Sequence, residues 1–105
     1  MRVLFDQGTP VPLRRVLTAH VVSTAYEMGW ASFSNGDLLD AAEAQFDVLV
    51  TTDQNLRCQQ NLAGRKLAIL VLPFTSWPKL SGHIPRIVSA IEAMTAGQHL
   101  KLTLP

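Results

Sequence analysis

The sequence predicts an α/β fold, in the form of a three-layer sandwich with a mostly parallel central sheet of four or five strands. Short apolar runs of the kind that form buried parallel strands alternate along the chain with segments of helical spacing. Strands that alternate with helices are joined by right-handed crossovers, which produce a mostly parallel sheet with helices on both faces. The length of 105 residues fits one compact domain, which we expect to span residues 1–105.

Two strands and a helix are predicted in the first 24 residues. Residues 3–5 form a short apolar run that ends abruptly at Asp6, as a buried strand does where it leaves the sheet. Residues 13–19 have apolar positions that suit a helix, and prolines precede them, which a first helical turn tolerates. The brief β-branched run at residues 20–24 predicts the second strand.

The middle of the chain carries the clearest helix signal. Ser34 or Asn35 can accept hydrogen bonds from free backbone N–H groups, so a helix is predicted over residues 36–46. Residues 47–52 then form a buried-strand pattern that ends at Asp53.

The second half of the chain repeats the alternation. We predict an amphipathic helix over residues 54–62, a strand over 66–72, and a helix over 84–94 that Gly97 closes. Residues 100–104 alternate strictly between apolar and polar, which indicates a strand with one covered face. That strand either adds to a sheet edge or pairs with a partner.

Composition leaves the function open. Hydrophobic residues make up 48% of the chain and charged residues 16%, with a formal net charge of +1 and a single cysteine. The apolar runs are shorter than the roughly 20 residues of a membrane-spanning helix, so we expect a cytoplasmic protein that does not enter a membrane. Any binding to phosphates must come from local Arg and Lys residues, because no global positive charge attracts nucleic acid.

Three aspartates are the candidate site. Asp6 and Asp53 each follow a predicted strand, and the carboxyl ends of parallel strands share one edge of the sheet. Asp37, in the first turn of its helix, completes the predicted cluster. Carboxylates bind hard divalent ions such as Mg²⁺, which activate water for phosphodiester cleavage. Taken singly, an Asp after a strand is more often a turn former or a helix N-cap.

The stretches LFDQGTP, NGDLLDAAEAQFDVLVTTDQNL and KLAILVL resemble the PIN-like nucleases, especially a small bacterial branch that is paired with antitoxins. The likeness covers residues 2–72 in order and spacing. It implies an Mg²⁺- or Mn²⁺-dependent ribonuclease in which Asp6, Asp37 and Asp53 match the family's acids. It also implies an antitoxin partner and a tendency to form homodimers. One departure is Asn55, which stands where the family often has a further acid.

Polar and basic neighbours extend the predicted site. Asn55 can assist the acids as a neutral ligand or hydrogen-bonding group. Thr52, Arg14 and Arg57 are the candidate RNA-binding residues, although scattered polar and basic residues usually have no such role. Asp40, three residues after Asp37, is a reserve ligand.

Three functions follow as hypotheses. The first is a metal-dependent endoribonuclease, the toxin of a toxin–antitoxin pair, acting on an RNA that the sequence does not specify. The second is a non-catalytic PIN-like module that binds RNA or protein, which Asn55 favours. The third is a receiver-like signalling domain, in which Asp53 would be phosphorylated.

Overall fold

The computed structural model of the protein describes residues 1–56 and 64–105 and contains one five-stranded sheet. Every strand pairing is parallel, and the strands lie in the order β2-β1-β3-β4-β5. The α/β class and the parallel sheet are therefore confirmed. The strands are β1 (Arg2–Phe5), β2 (Val21–Thr24), β3 (Val48–Thr51), β4 (Ala68–Val71) and β5 (His99–Lys101).

The strand order reverses between β1 and β3: β2 is added on one side of β1, and the later strands are added on the other side. β1 pairs with β2 on one side and with β3 on the other, and each later strand is added beyond β3. This is the flavodoxin-like order of doubly wound sheets, in which ligands bind at the β1/β3 switch point. All five strands end along one side of the sheet, which we call the carboxyl edge.

Two helices of ten or more residues occur in the described ranges, one between β2 and β3 and one between β4 and β5. Helix α1 (Asn35–Gln45) begins within one residue of the prediction, and the Ser34 hydroxyl accepts a 3.2 Å hydrogen bond from the Asp37 N–H. A short helix, α2 (Trp77–Leu80), was not predicted. It precedes helix α3 (Ile84–Ala93), which the sequence did predict.

Consecutive strand residues point to opposite faces of the sheet, and they divide between two apolar clusters. Phe5, on β1, belongs to the cluster that includes Ile87 and Ile91 of α3. Leu4 belongs to the other cluster, with Leu39 of α1. All four residues of β3 and of β4 are buried, which explains why these strands appear as continuous apolar runs.

The helix predicted over residues 13–19 is instead a 3₁₀ helix over Val11–Val16. Pro10 precedes this segment and Pro12 lies in its first turn, where a missing N–H removes no intrahelical hydrogen bond. Leu17 leaves helical geometry with φ −96° and ψ 52°, although it is buried as the prediction required.

The C-terminal strand joins the sheet edge. β5 pairs with β4 at Leu70 and Leu100, so the sheet-edge alternative is the one observed, over a shorter segment than predicted. Gly97 does not cap α3, which ends at Ala93. It has φ 77°, and a Cβ there would lie 2.7 Å from the carbonyl oxygen of Arg65. Gly97 therefore allows the chain to pass close to Arg65 on its way into β5.

Most of the helix predicted over residues 54–62, together with Arg57, lies outside the described residues. Leu56, the last described residue of that predicted segment before the gap, is buried. The radius of gyration is 12.5 Å, close to the roughly 13 Å of a compact chain of about 100 residues. Within the described ranges no helix has the length and apolar character needed to cross a membrane.

Candidate active site at the carboxyl edge

Asp6 and Asp53 follow the two neighbouring strands at the switch point. Asp6 comes directly after β1, and its backbone N–H donates a 2.9 Å hydrogen bond to the carbonyl of Val50 on β3. Asp53 lies two residues beyond the end of β3. Both side chains are half-buried. The predicted placement of these two acids at one edge of the sheet agrees with the structure.

Thr51, the last residue of β3, connects the two aspartates. Its hydroxyl donates a 2.9 Å hydrogen bond to Oδ2 of Asp6 and accepts a 3.1 Å hydrogen bond from the backbone N–H of Asp53. Thr51 is fully buried, so the hydroxyl proton is committed to Asp6. No role was assigned to Thr51 from the sequence. A polar residue inside a buried strand, next to an acid, was the available signal.

The remaining carboxylate oxygens also accept hydrogen bonds. Oδ1 of Asp6 accepts from the N–H of Gln7 at 2.8 Å. Oδ1 of Asp53 accepts from the N–H of Asn55 at 2.9 Å, and Oδ2 accepts from the Asn35 side-chain amide at 3.2 Å. Each carboxylate oxygen has a second lone-pair direction. The two acids are thus held in place while retaining capacity for a cation or a water molecule.

Asn35, and not Asp37, is the residue of α1 that contacts Asp53. Residues two apart on a helix do not face the same side, so both cannot reach the acid. Asp37 is exposed, and its backbone N–H bonds to Ser34. In the part of the chain that the structure describes, no three or more His, Cys, Asp or Glu side chains are grouped so as to hold a metal ion. Asp37 is therefore not assembled with the other two aspartates.

The donor set still suits a magnesium-like ion. Mg²⁺ sites in phosphoryl-transfer proteins commonly use one or two carboxylates and complete their octahedron with water and substrate phosphate. Asp6 and Asp53 supply two carboxylates at a sheet edge where ligands bind, and Asp53 accepts hydrogen bonds from the Asn35 side-chain amide and from the backbone N–H of Asn55. This arrangement fits one such ion better than two.

Asn55 and Thr52 contribute to the loop after β3. The contact between Asn55 and Asp53 uses the Asn55 backbone, and the Asn55 residue itself is exposed. Thr52 lies against Gly8 of the loop after β1, so that a Cβ added at Gly8 would collide with the Thr52 hydroxyl. The Gln54 side-chain amide connects the same loop to the residue after β4, through a 2.6 Å hydrogen bond that it donates to the carbonyl of Leu72. The two acid-bearing loops are therefore packed against one another.

A cleft of about 360 Å³ opens beside Asp6. Tyr26 lines it and is 79% exposed, a high value for an aromatic residue in a small domain. Four other residues that shape it are Val11, Arg14, Thr24 and Glu27. A second cleft, of about 340 Å³, lies beyond Thr52 and is lined by Phe74, Ser76 and Lys79 among others. The carboxyl edge thus has a recess on each side of the loops that carry the aspartates.

Arg14, a predicted RNA-binding residue, is engaged within the protein. Its guanidinium forms a two-point ion pair with Glu27, at 2.8 and 3.1 Å, and donates a 2.6 Å hydrogen bond to the carbonyl of Val22. The hydrogen bond from Arg14 is the largest cause that holds the pKa of Glu27 below its ordinary value, and the backbone of Thr24 is the next. The charge of Arg14 is therefore already paired.

Other cations reach the carboxyl edge. Lys79, on α2, lines the second cleft and lies 5.4 Å from the ring centroid of Phe74. Lys101, at the end of β5, places its Nζ 3.4 Å from the carbonyl of Gln54. Sequence reasoning named neither as a site residue, because nothing local to residue 79 or 101 indicates which part of the sheet it approaches.

Asp40, the reserve ligand, has a structural partner. Its carboxylate lies 2.8 Å from Nη2 of Arg65, and Glu43 lies 3.0 Å from Nη1. The hydrogen bond to Asp40 is the largest factor that raises the pKa of Arg65. This cluster ties α1 to the residues that precede β4.

Comparisons of the chain with protein-family models, with curated proteins and with solved structures found no match. The resemblance to PIN-like nucleases therefore depends on the motifs quoted above. The geometry of the carboxyl edge supplies independent grounds for a functional interpretation.

Proposed function

We propose that the protein is a PIN-like, metal-dependent endoribonuclease whose principal acids are Asp6 and Asp53. The observation that carries the proposal is the pair of aspartates at the β1/β3 switch point, connected by the buried hydroxyl of Thr51. Ligands of open parallel sheets bind outside this point. A half-buried pair of carboxylates there suits a divalent cation that bridges to phosphate.

Each residue has a distinct part in this proposal. Asp6 and Asp53 would hold Mg²⁺ or Mn²⁺ together with water and a phosphate oxygen. When bound, the ion activates a water nucleophile and neutralises the charge that builds on the phosphate. Thr51 directs its proton to Asp6, which keeps one oxygen of that carboxylate fixed. Asn35 orients Asp53 in the same way through its amide.

The biological setting is proposed from the resemblance alone. In that setting the protein is the toxin of a toxin–antitoxin pair that acts on cytoplasmic RNA and is neutralised by an antitoxin protein. Self-association, the three-layer PIN-like arrangement and an RNA contact by Arg57 belong to the same part of the proposal. Thr52, which borders the second cleft, is suited to contact RNA near the acids.

Cleavage of labelled RNA by the purified protein tests the enzyme. Wild type should cut in Mg²⁺ or Mn²⁺, and a chelator should abolish cutting. Asp53→Asn should lose at least about two orders of magnitude in rate if the carboxylate holds the metal. Glu92→Gln is the matched control, because it removes an exposed carboxylate that lies near His20, which precedes β2. Equal activity of wild type and Asp53→Asn would refute the proposal.

A non-catalytic PIN-like module that binds RNA or protein is the second candidate. It is favoured by Asn35, whose side-chain amide contacts Asp53, and by the identity of residue 55, which is Asn where a two-metal nuclease would need a further acid. In the same experiment this candidate predicts a folded wild-type protein that retains RNA without cutting it in either metal.

The receiver-like candidate is favoured by the strand order, which it shares with flavodoxin-like folds, and by the position of Asp53 after β3. It predicts a covalent phosphate on Asp53 after incubation with a small phosphodonor. Intact-protein mass spectrometry of wild type and Asp53→Asn distinguishes it from the other two candidates.

A further inference from the structure

The cleft beside Asp6 contains an exposed aromatic side chain that the proposed reaction does not use. Tyr26 is 79% exposed, compared with 42% for Phe33. Trp30 stacks on Phe33 with 5.9 Å between ring centroids and meets Phe46 edge-on at 6.1 Å. Tyr26 thus offers a ring to solvent in a cleft that also contains an acid of the site.

The backbone beneath Tyr26 is fixed by a reciprocal pair of hydrogen bonds. The N–H of Thr24 donates to Glu27 at 2.9 Å, and the N–H of Glu27 donates to the Thr24 hydroxyl at 3.1 Å. Arg14 holds the same Glu27 carboxylate from the other side. The preceding residue, Ala25, is buried and donates its N–H to the carbonyl of Phe5 on β1. The turn that carries Tyr26 is therefore fastened both to itself and to the sheet.

The cleft has the properties of a small ligand site. Its volume of about 360 Å³ lies at the lower end of the range for ligand pockets, roughly 300–1,000 Å³. Val11 and Ala25 give it apolar walls, and Asp6 and Thr24 give it polar groups. A planar heteroaromatic group with polar edges matches this lining. An exposed aromatic ring stacks on such a group whatever the identity of the base.

We infer that this cleft is a nucleobase subsite, in which Tyr26 stacks on a base of the substrate whose phosphate lies at Asp6 and Asp53. The inference rests on the proposed RNA-binding function and adds a residue that positions the substrate. It also assigns Arg14 a new part, as the residue that braces the Tyr26 turn instead of contacting phosphate.

Fluorescence anisotropy with two probes tests the subsite. One probe is a 5′-labelled single-stranded heptauridylate, and the other is an abasic oligonucleotide of the same length and charge. Ca²⁺ replaces Mg²⁺ in the buffer, so that an oxygen-ligated divalent ion can still join the acids to phosphate, and gel electrophoresis checks that the probes stay intact. Wild type should bind the base-bearing probe more tightly than the abasic one. Tyr26→Ala should weaken binding of the base-bearing probe roughly 5- to 100-fold and leave the abasic probe unchanged.

Two variants serve as controls. Tyr26→Phe retains the ring and should bind the base-bearing probe like wild type. Val21→Ala shortens another exposed apolar side chain, 66% exposed on β2, and should change neither probe. A wild type that does not discriminate between the probes, including one that binds neither, overturns the subsite. Unchanged binding by Tyr26→Ala overturns it as well.

The outcomes separate this inference from the proposed enzyme. Base-dependent binding through Tyr26 in a protein that never cuts RNA refutes the nuclease and retains the subsite. Metal-dependent cutting with the same KM in wild type and Tyr26→Ala retains the nuclease and refutes the subsite.

Discussion

The hydroxyl of Thr51 lies 2.9 Å from Oδ2 of Asp6, although the two residues are 45 positions apart in the chain. Thr51 is fully buried at the end of β3, and its hydroxyl also receives the N–H of Asp53. The hydroxyl of this one side chain therefore holds both acids in position relative to the end of β3.

Thr51→Val tests this connection. Valine retains the shape and removes the hydroxyl, so Asp6 loses a donor and the N–H of Asp53 loses an acceptor. We expect the free energy of unfolding to fall by about 1–3 kcal/mol, from urea denaturation, and RNA cleavage to fall further than stability explains. Thr51→Ser retains the hydroxyl and should preserve both the stability and the RNA cleavage.

The matched control for Thr51→Val is Thr9→Val. The Thr9 hydroxyl is also buried at this edge and donates to the carbonyl of Val50 at 2.8 Å, but it contacts neither acid. A loss of stability with normal cleavage is expected. If both variants lose cleavage equally, the special role of Thr51 is disproved.

Asn35→Asp should create a third carboxylate at the site. The new acid would face Asp53 across the position of the present 3.2 Å contact. In EDTA the two like charges should lower the free energy of unfolding by about 1 kcal/mol or more. With Mn²⁺ present the variant should bind the ion more tightly than wild type, as measured by calorimetry.

Asp37→Asn is the counterpart of that variant on the same helix turn. Because the Asp37 side chain is exposed, its loss should leave the affinity for Mn²⁺ unchanged. A large drop in affinity would instead support the three-acid site that the sequence predicted.

Gly8→Ala should destabilise the junction of the two acid-bearing loops. The added Cβ would overlap the Thr52 hydroxyl, and Thr52→Ala removes the atom with which it collides. We expect urea denaturation to show that the double variant loses less free energy of unfolding than the two single variants together, by about 0.5–3 kcal/mol. Strict additivity would show that the loops separate without strain.

The ion pair between Arg14 and Glu27 should be detectable as a lowered pKa of the Glu27 carboxyl in a pH titration. Arg14 lowers the pKa of Glu27 below its ordinary value of 4.5, so the pair stabilises the fold above pH 4.5 and loses this effect as the pH falls through the lowered pKa. Carbon-detected NMR of the Glu27 carboxyl should give a midpoint below 4.5, and Arg14→Gln should move it upward. A midpoint that does not respond to Arg14→Gln would contradict this assignment of the pair.

The sequence predicted those features that depend on neighbours in the chain. Strand ends are marked locally by an apolar run followed by a polar residue, which located Asp6 and Asp53 correctly. Ser34 was identified as a candidate N-cap for the same reason, because capping involves residues within one turn.

The contacts that the sequence did not predict involve residues whose neighbours are distant in sequence. Asn35 and Asp37 both lie in the first turn of α1, and the burial of Leu38 and Leu39 decides which of them faces the sheet. The engagement of Arg14 depends on Glu27, which is 13 residues away and lies beyond β2. The spacing of residues along the chain does not show which side of a helix faces a given acid, or which distant residue a long side chain contacts.

The parallel arrangement also affects how the protein folds. Each strand pairs with one that is separated from it by a long crossover, and the longest of these closures, between β1 and β3, is the one that joins Asp6 to Thr51. Chains dominated by such distant contacts fold more slowly than chains of local ones, because loop entropy is lost before the contacts form. The acid pair therefore assembles only when the centre of the sheet does, and recovery of the proposed RNA cleavage during refolding should report on that event.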